Sequence, residues 1–193
     1  MKKNITFITV YAFIILSFSN CGYNKMVDMR EGVESQWGNV ENVYQRRADL
    51  IPNLVSTVKG YAKHEKETLE GVINARAKAT SVNVDPKNIT PQMLQQFQSA
   101  QSGLAQALSK LMVVVERYPD LKANENFKDL QVQLEGTENR IATERRKFNE
   151  TVRGYNAYIK QFPQIIYSGW FGFDKKVYFQ GDERSREVPN VEF

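Results

Sequence analysis

From Val33 onward, apolar side chains recur at alternating spacings of four and three residues. They run Val33, Trp37, Val40, Tyr44, then Ile51, Leu54, Val58, Tyr61, and later Val72, Ala75 and Ala79. That rhythm puts them on one stripe of an α-helix. The phase is the same on both sides of Pro52, so the pattern predicts one long helix kinked at the proline. A break between Arg47 and Ile51, with Asp49 as N-cap, is the competing arrangement.

The stretch "TSVNVDPKNITPQM" interrupts the pattern with turn residues, and its Thr90-Pro91 has the form of an N-cap followed by proline at the first helical position. A second helix is predicted from there, with a seam of Leu94, Phe97, Leu104, Leu108, Leu111, Val115 and Tyr118 ending at Pro119; Gln101 is its polar member. A third begins near Asn124 and carries Phe127, Leu130, Leu134, Ile141, Phe148, Tyr155, Tyr158 and Phe162 before Pro163. No strand pattern precedes the aromatic tail. The fold class expected is therefore all-α, an antiparallel bundle of long helices closed by a short aromatic C-terminal tail. At 193 residues the chain suits one domain.

The N-terminus has a different character. "MKKNITFITVYAFIILSFSNCG" is a short basic head and an apolar run from Ile5 to Phe18, shorter than the roughly 20 residues of a spanning helix. It reads as a signal peptide over residues 1–20, followed by a bundle domain over 21–180 and a polar tail over 181–193. Cys21 is the sole cysteine, so no intramolecular disulfide forms. Its position resembles a bacterial lipobox, in which the cysteine is acylated after cleavage, although Phe18, Ser19 and Asn20 are bulkier than the usual Leu-Ala-Gly. An uncleaved signal anchor is the alternative. With Lys2 and Lys3 removed, the net charge of +4 falls to +2, which gives nucleic-acid binding little support. Between Cys21 and the first helix, "GYNKMVDMREGVESQW" leaves almost no flexible tether, so the bundle is expected close to the headgroups.

Candidate chemistry is sparse. His64 is the only histidine, and no serine-hydrolase, zinc, metalloprotease or phosphate-binding motif accompanies it. A hydrogen-bonded structural role beside Tyr61, on a rail with Asn53 and Thr57, is the expectation, with no catalytic residue, metal or cofactor. Arg47 falls on the seam of the first helix, and Glu65 and Glu144 fall on seam positions of their own helices, with Arg140, Arg145 and Asn149 nearby. A charge on a seam is either paired, fixing helix register, or reaches out to water along its stem. The tail "QIIYSGWFGFDKKVYFQ" gathers Tyr167, Trp170, Phe171, Phe173, Tyr178 and Phe179 beside lysines. These rings serve either to cap the open end of the bundle or to form a membrane interface, for which Trp170, Phe171 and Phe173 are the candidates.

Several long motifs, "YN" after the membrane segment, "RRADLIPNLVSTVKGYAKHE", "YPDLKANENFKDLQVQLEGTENRIATERRKFNETVRGYN", and "FP" followed by "FGF", resemble the LemA family across nearly all of the chain after Cys21. The resemblance implies an N-terminally membrane-attached helical bundle of the bacterial envelope with no established enzymatic activity. The usual member has a transmembrane helix where this chain has Cys21. The expectation is a lipid-anchored scaffold or adaptor for integral membrane or other envelope proteins, of unknown oligomeric state. Direct action on lipid, shaping the membrane, is the alternative.

Overall fold

A computed structural model describes residues 21–180. The expected signal peptide, 1–20, and polar tail, 181–193, lie outside the described residues. Helix α1 spans Cys21–Tyr61, α2 Lys66–Ser81, α3 Pro91–Val115, the short α4 Pro119–Ala123 and α5 Glu125–Tyr158. A single turn α6, Gln164–Tyr167, and a 3₁₀ turn at Gly169–Phe171 lead into a final segment, 173–180. The fold is an all-α bundle, as the seams predict.

The helix starts follow from their capping residues. Thr90 Oγ1 accepts from the Met93 N–H at 3.2 Å ahead of Pro91, and Asn124 Oδ1 accepts from the Phe127 N–H at 3.0 Å. Each satisfies a backbone donor that has no partner inside the helix. The seam positions are then the buried ones: Val33, Trp37, Val40, Tyr44, Ile51, Leu54 and Val58 on α1, and Leu94, Phe97, Leu104, Leu108, Leu111 and Val115 on α3.

Helix α1 runs without interruption through Pro52, and the reason lies in its neighbour. A proline has no N–H, so the carbonyl four residues earlier, on Ala48, loses its helical partner. Arg76 of α2 replaces it, donating from Nε to Ala48 O at 2.7 Å.

Three expectations of the sequence reading are corrected. The first seam is not one helix as far as Ala79, because the chain reverses at residues 62–65 and α2 returns against α1. The third helix stops at Tyr158, and Phe162 is 79% exposed rather than on the seam. His64 lies exposed in the 62–65 turn with no hydrogen bond, so it has no structural role of the expected kind.

Helices α2 and α5 run antiparallel to α1, and α3 runs parallel to it. Contacts fix the register: Gln36 Nε2 donates to Glu144 at 2.7 Å, Arg117 pairs with Glu65 at 2.9 Å, and Asn124 donates to Tyr61 Oη at 3.0 Å. Helix α2 is only 16 residues long and covers α1 beyond about residue 48. Nearer Cys21 its place is taken by Val84 and Ile89 of the 82–90 connection and by segment 173–180.

Candidate functional site

The most polar part of the interior is a layer around Arg47. Its side chain is 2% exposed, so it does not reach out to solvent. Nη1 pairs with Glu138 Oε1 on α5 at 2.6 Å. Nη2 donates to the Gln101 side-chain oxygen on α3 at 2.6 Å and to the Gln101 carbonyl at 3.2 Å. Gln101 Nε2 in turn donates to Ala79 O near the end of α2 at 3.1 Å, satisfying a terminal carbonyl. The guanidinium also lies over the Tyr44 ring, 5.2 Å from its centroid. Arg47 and Gln101 together therefore join all four long helices, and this layer separates two apolar clusters.

Glu65 and Glu144 are not part of that layer. Glu65 sits at the far tip, where it accepts from Arg117 Nη2 and from Tyr118 Oη, each at 2.9 Å; the bond from Tyr118 raises the pKa of that phenol. Glu144 lies toward the Cys21 end, between Gln36 and Lys147 at 2.7 and 2.8 Å. Those bonds, Lys147's first, hold its carboxyl below the ordinary range. Arg47's actual carboxylate, Glu138, was missed. The partial signal was a gap: the seams step by seven residues at Tyr44–Ile51 on α1 and Phe97–Leu104 on α3, which meet at one level, but the α5 seam takes such steps repeatedly, so it did not single out Glu138.

The aromatic tail is divided between core and surface. Gly172, at φ +70°, turns the chain back onto the bundle in a conformation that favours glycine. Asn156 then donates to Lys176 O at 2.8 Å and accepts from Lys176 N at 2.9 Å. Asn149 does the same with Phe179, at 3.1 and 2.8 Å. Seven helical residues rise about 10.5 Å, which three extended residues also span at about 3.3–3.6 Å each. The tail thus docks along α5 as an extended segment. It delivers Phe179 between Trp37, 5.7 Å away, and Phe148, 5.3 Å away, with Arg145 over its ring.

Of the three candidate interface residues, Phe173 is 2% exposed, packed on Tyr23 and beneath Arg30. Trp170 is 81% exposed and Phe171 55%. They continue an apolar surface made by Phe162, Ile165 and Ile166. This surface adjoins the first turn of α1: Tyr23 meets Phe171 edge-on at 5.2 Å, and any side chain at position 22 would strike the Tyr167 hydroxyl, which explains glycine there. Cys21 lies in the first turn of α1 as described; the expected acylation falls on a side chain outside the described ones.

Among the described residues no three His, Cys, Asp or Glu side chains gather as metal ligands, and no helix is long and apolar enough to cross a membrane. The arrangement around Arg47 joins helices; it presents no nucleophile next to a base.

Comparison with known proteins agrees with this architecture. The chain is similar to Magnetosome protein MamQ 2 of Paramagnetospirillum magneticum, with 28% identity covering 91% of this chain and 70% of that protein. Magnetosome protein MamQ of Magnetospirillum gryphiswaldense is 26% identical with the same coverage. Protein LemA of Metamycoplasma hominis is 24% identical over 76% of this chain and 60% of its own length. The profile of the LemA family matches residues 36–193, most of the sequence, and the chain belongs to the LemA family.

Proposed function

We propose that this protein is a membrane-held adaptor of the bacterial envelope, anchored by an acylated Cys21 and working through its surfaces, without turnover. Family membership and the MamQ relatives support a membrane-associated, non-catalytic protein. The observation that carries the finer reading is that α1 already includes Cys21. With no tether, an acyl chain on that residue holds the first turn of the bundle against the headgroups, and the exposed Phe162, Ile165, Ile166, Trp170 and Phe171 lie at that same end. Tryptophan and neighbouring rings partition to the membrane interface. The partner is then an integral membrane protein, reached from a fixed height.

Photo-crosslinkers at Asp28 and Glu31 in intact cells test this. Discrete adducts with integral membrane proteins are expected, and Trp170→Ala with Phe171→Ala should lower recovery of the purified protein on liposomes without changing its melting temperature. Adducts with lipid alone, together with deformation of vesicles by the purified protein, would transfer the assignment to direct membrane shaping.

A further inference from the structure

A cleft of about 600 Å³ opens beside the apolar surface, where α1, the 82–90 connection, α5 and the tail meet. Arg30 and Glu34 of α1, Lys87, Tyr155 of α5, and Asp174 and Lys176 of the tail line it. Two features set it apart from a solvated charged surface. Tyr155 is fully buried, yet its hydroxyl has no hydrogen-bond partner, and burial together with the fields of Arg30 and Asp174 perturbs it, so it faces those charges. Moreover, none of the charged side chains named here takes part in an ion pair among the described residues, although cations and carboxylates stand close enough to feel one another; Lys176 Nζ donates to Lys87 O at 2.6 Å, and Arg30 lies over the Phe173 ring. Buried hydroxyls normally find partners.

The charge pattern selects the ligand. A simple anion meets Arg30, Lys87, Lys175, Lys176 and the Tyr155 hydroxyl but is repelled by Glu31, Glu34 and Asp174, whereas a simple cation meets the reverse. A zwitterion satisfies both sets. Glu34 lies one helical turn beyond Arg30, about 6 Å along α1, so the two poles sit only a few atoms apart. Arg30 is nine residues from Cys21, about 13.5 Å along the helix, and Gly172, which also lines the cleft, directly follows Phe171 of the apolar surface.

We propose that this cleft binds a small zwitterion whose phosphate-type oxyanion and primary ammonium are joined by a short linker, the chemistry of ethanolamine phosphate, either free or as a lipid headgroup. The oxyanion accepts from Arg30 and the Tyr155 hydroxyl with Lys176 nearby, and the ammonium donates toward Glu34 and Asp174. The inference goes beyond the adaptor reading and does not depend on it: that reading is tested at Asp28 and Trp170, which do not line the cleft, as well as at Glu31, which does.

Titration of the full chain in a nonionic detergent with O-phosphoethanolamine, followed by calorimetry, tests the soluble form. Native mass spectrometry after purification with equal phosphatidylethanolamine and phosphatidylcholine tests the lipid form, because a quaternary ammonium cannot donate to Glu34. Saturable binding in the first assay assigns a free ligand, and preferential retention of the ethanolamine lipid assigns a headgroup. Tyr155→Phe should weaken whichever binding is seen about tenfold, the worth of a hydrogen bond to a charged group, while leaving the melting temperature equal or higher because it removes an unpartnered hydroxyl. Glu34→Gln should weaken phosphoethanolamine but not inorganic phosphate. Absence of both saturable binding and lipid preference overturns the proposal. So does undiminished binding by a folded Tyr155→Phe protein.

Discussion

On the Cys21 side of Arg47 the core is built of rings, and on the far side it is built of aliphatic chains. Trp37 meets Phe97 and Phe148 edge-on at 5.3 and 5.6 Å and stacks on Phe179, while Tyr44 meets Phe97 at 4.9 Å. The far cluster holds Ile51, Leu54, Val58, Leu104 and Leu111, with Phe127 as its one fully buried ring. The difference follows from what covers each half. Beyond residue 48, α2 completes a regular four-helix cross-section, whose repeating grooves Leu, Ile and Val fill in their preferred rotamers. On the Cys21 side the described residues supply no fourth helix, only the 82–90 connection and an extended tail. Such segments lack a helical ridge pattern, and large rings with edge-to-face contacts fill the wider gaps they leave.

If that contrast is right, Trp37→Ala should have the largest effect. Loss of a buried tryptophan costs about 3–5 kcal/mol, and hydrogen exchange should rise in the Cys21-side half and in the tail while the aliphatic half stays protected. Uniform loosening of both halves would erase the distinction. Arg47→Ala comes next, at about 2–3 kcal/mol, because it removes a buried stem and leaves the Gln101 amide short of its donor. Its signature is different, since both halves should loosen. A denaturant melt showing a loss under about 0.5 kcal/mol, the size of a surface change, would mean that the layer does not join the halves.

Arg76→Met is expected to cost about 1–2 kcal/mol by leaving Ala48 O without a donor. Pro52→Ala in that background should recover part of the loss by restoring the helical N–H, and a double-mutant cycle measures the coupling. Additive effects would show that the Arg76 bond does not answer the proline. The smallest effect concerns pH. The Glu144 carboxyl titrates below its unfolded value of 4.5 because of Lys147 and then Gln36. Its contribution is therefore fully present above that value and is lost as pH falls through the lower, folded one. The melting temperature should begin to drop below about pH 4.5, and Gln36→Ala should flatten that part of the profile.

The helices were legible because each carries one apolar stripe, and two of the starts because threonine and asparagine caps stand in plain view. The reversal at residues 62–65 was not, since α1 and α2 present their stripes to the same core and so keep a common phase across the turn. Arg47 was legible as a seam charge, but its partner depended on which gaps meet in space. Tail docking was hidden as well: Asn149 and Asn156 look like surface amides until their seven-residue spacing is set against an extended strand.

The exchange between Pro52 and Arg76 has a mechanical meaning. Helix α1 is 41 residues long, about 60 Å end to end, and is a lever with Cys21 at one end and Tyr61 at the other. A lever bends where it is weakest, and this one lacks the internal bond that an N–H at Pro52 would make, some 46 Å from Cys21 by the helical rise. Arg76 is the brace across that joint. Without that brace the outer arm is free to flex, while the inner arm stays clamped by the tail and the ring core.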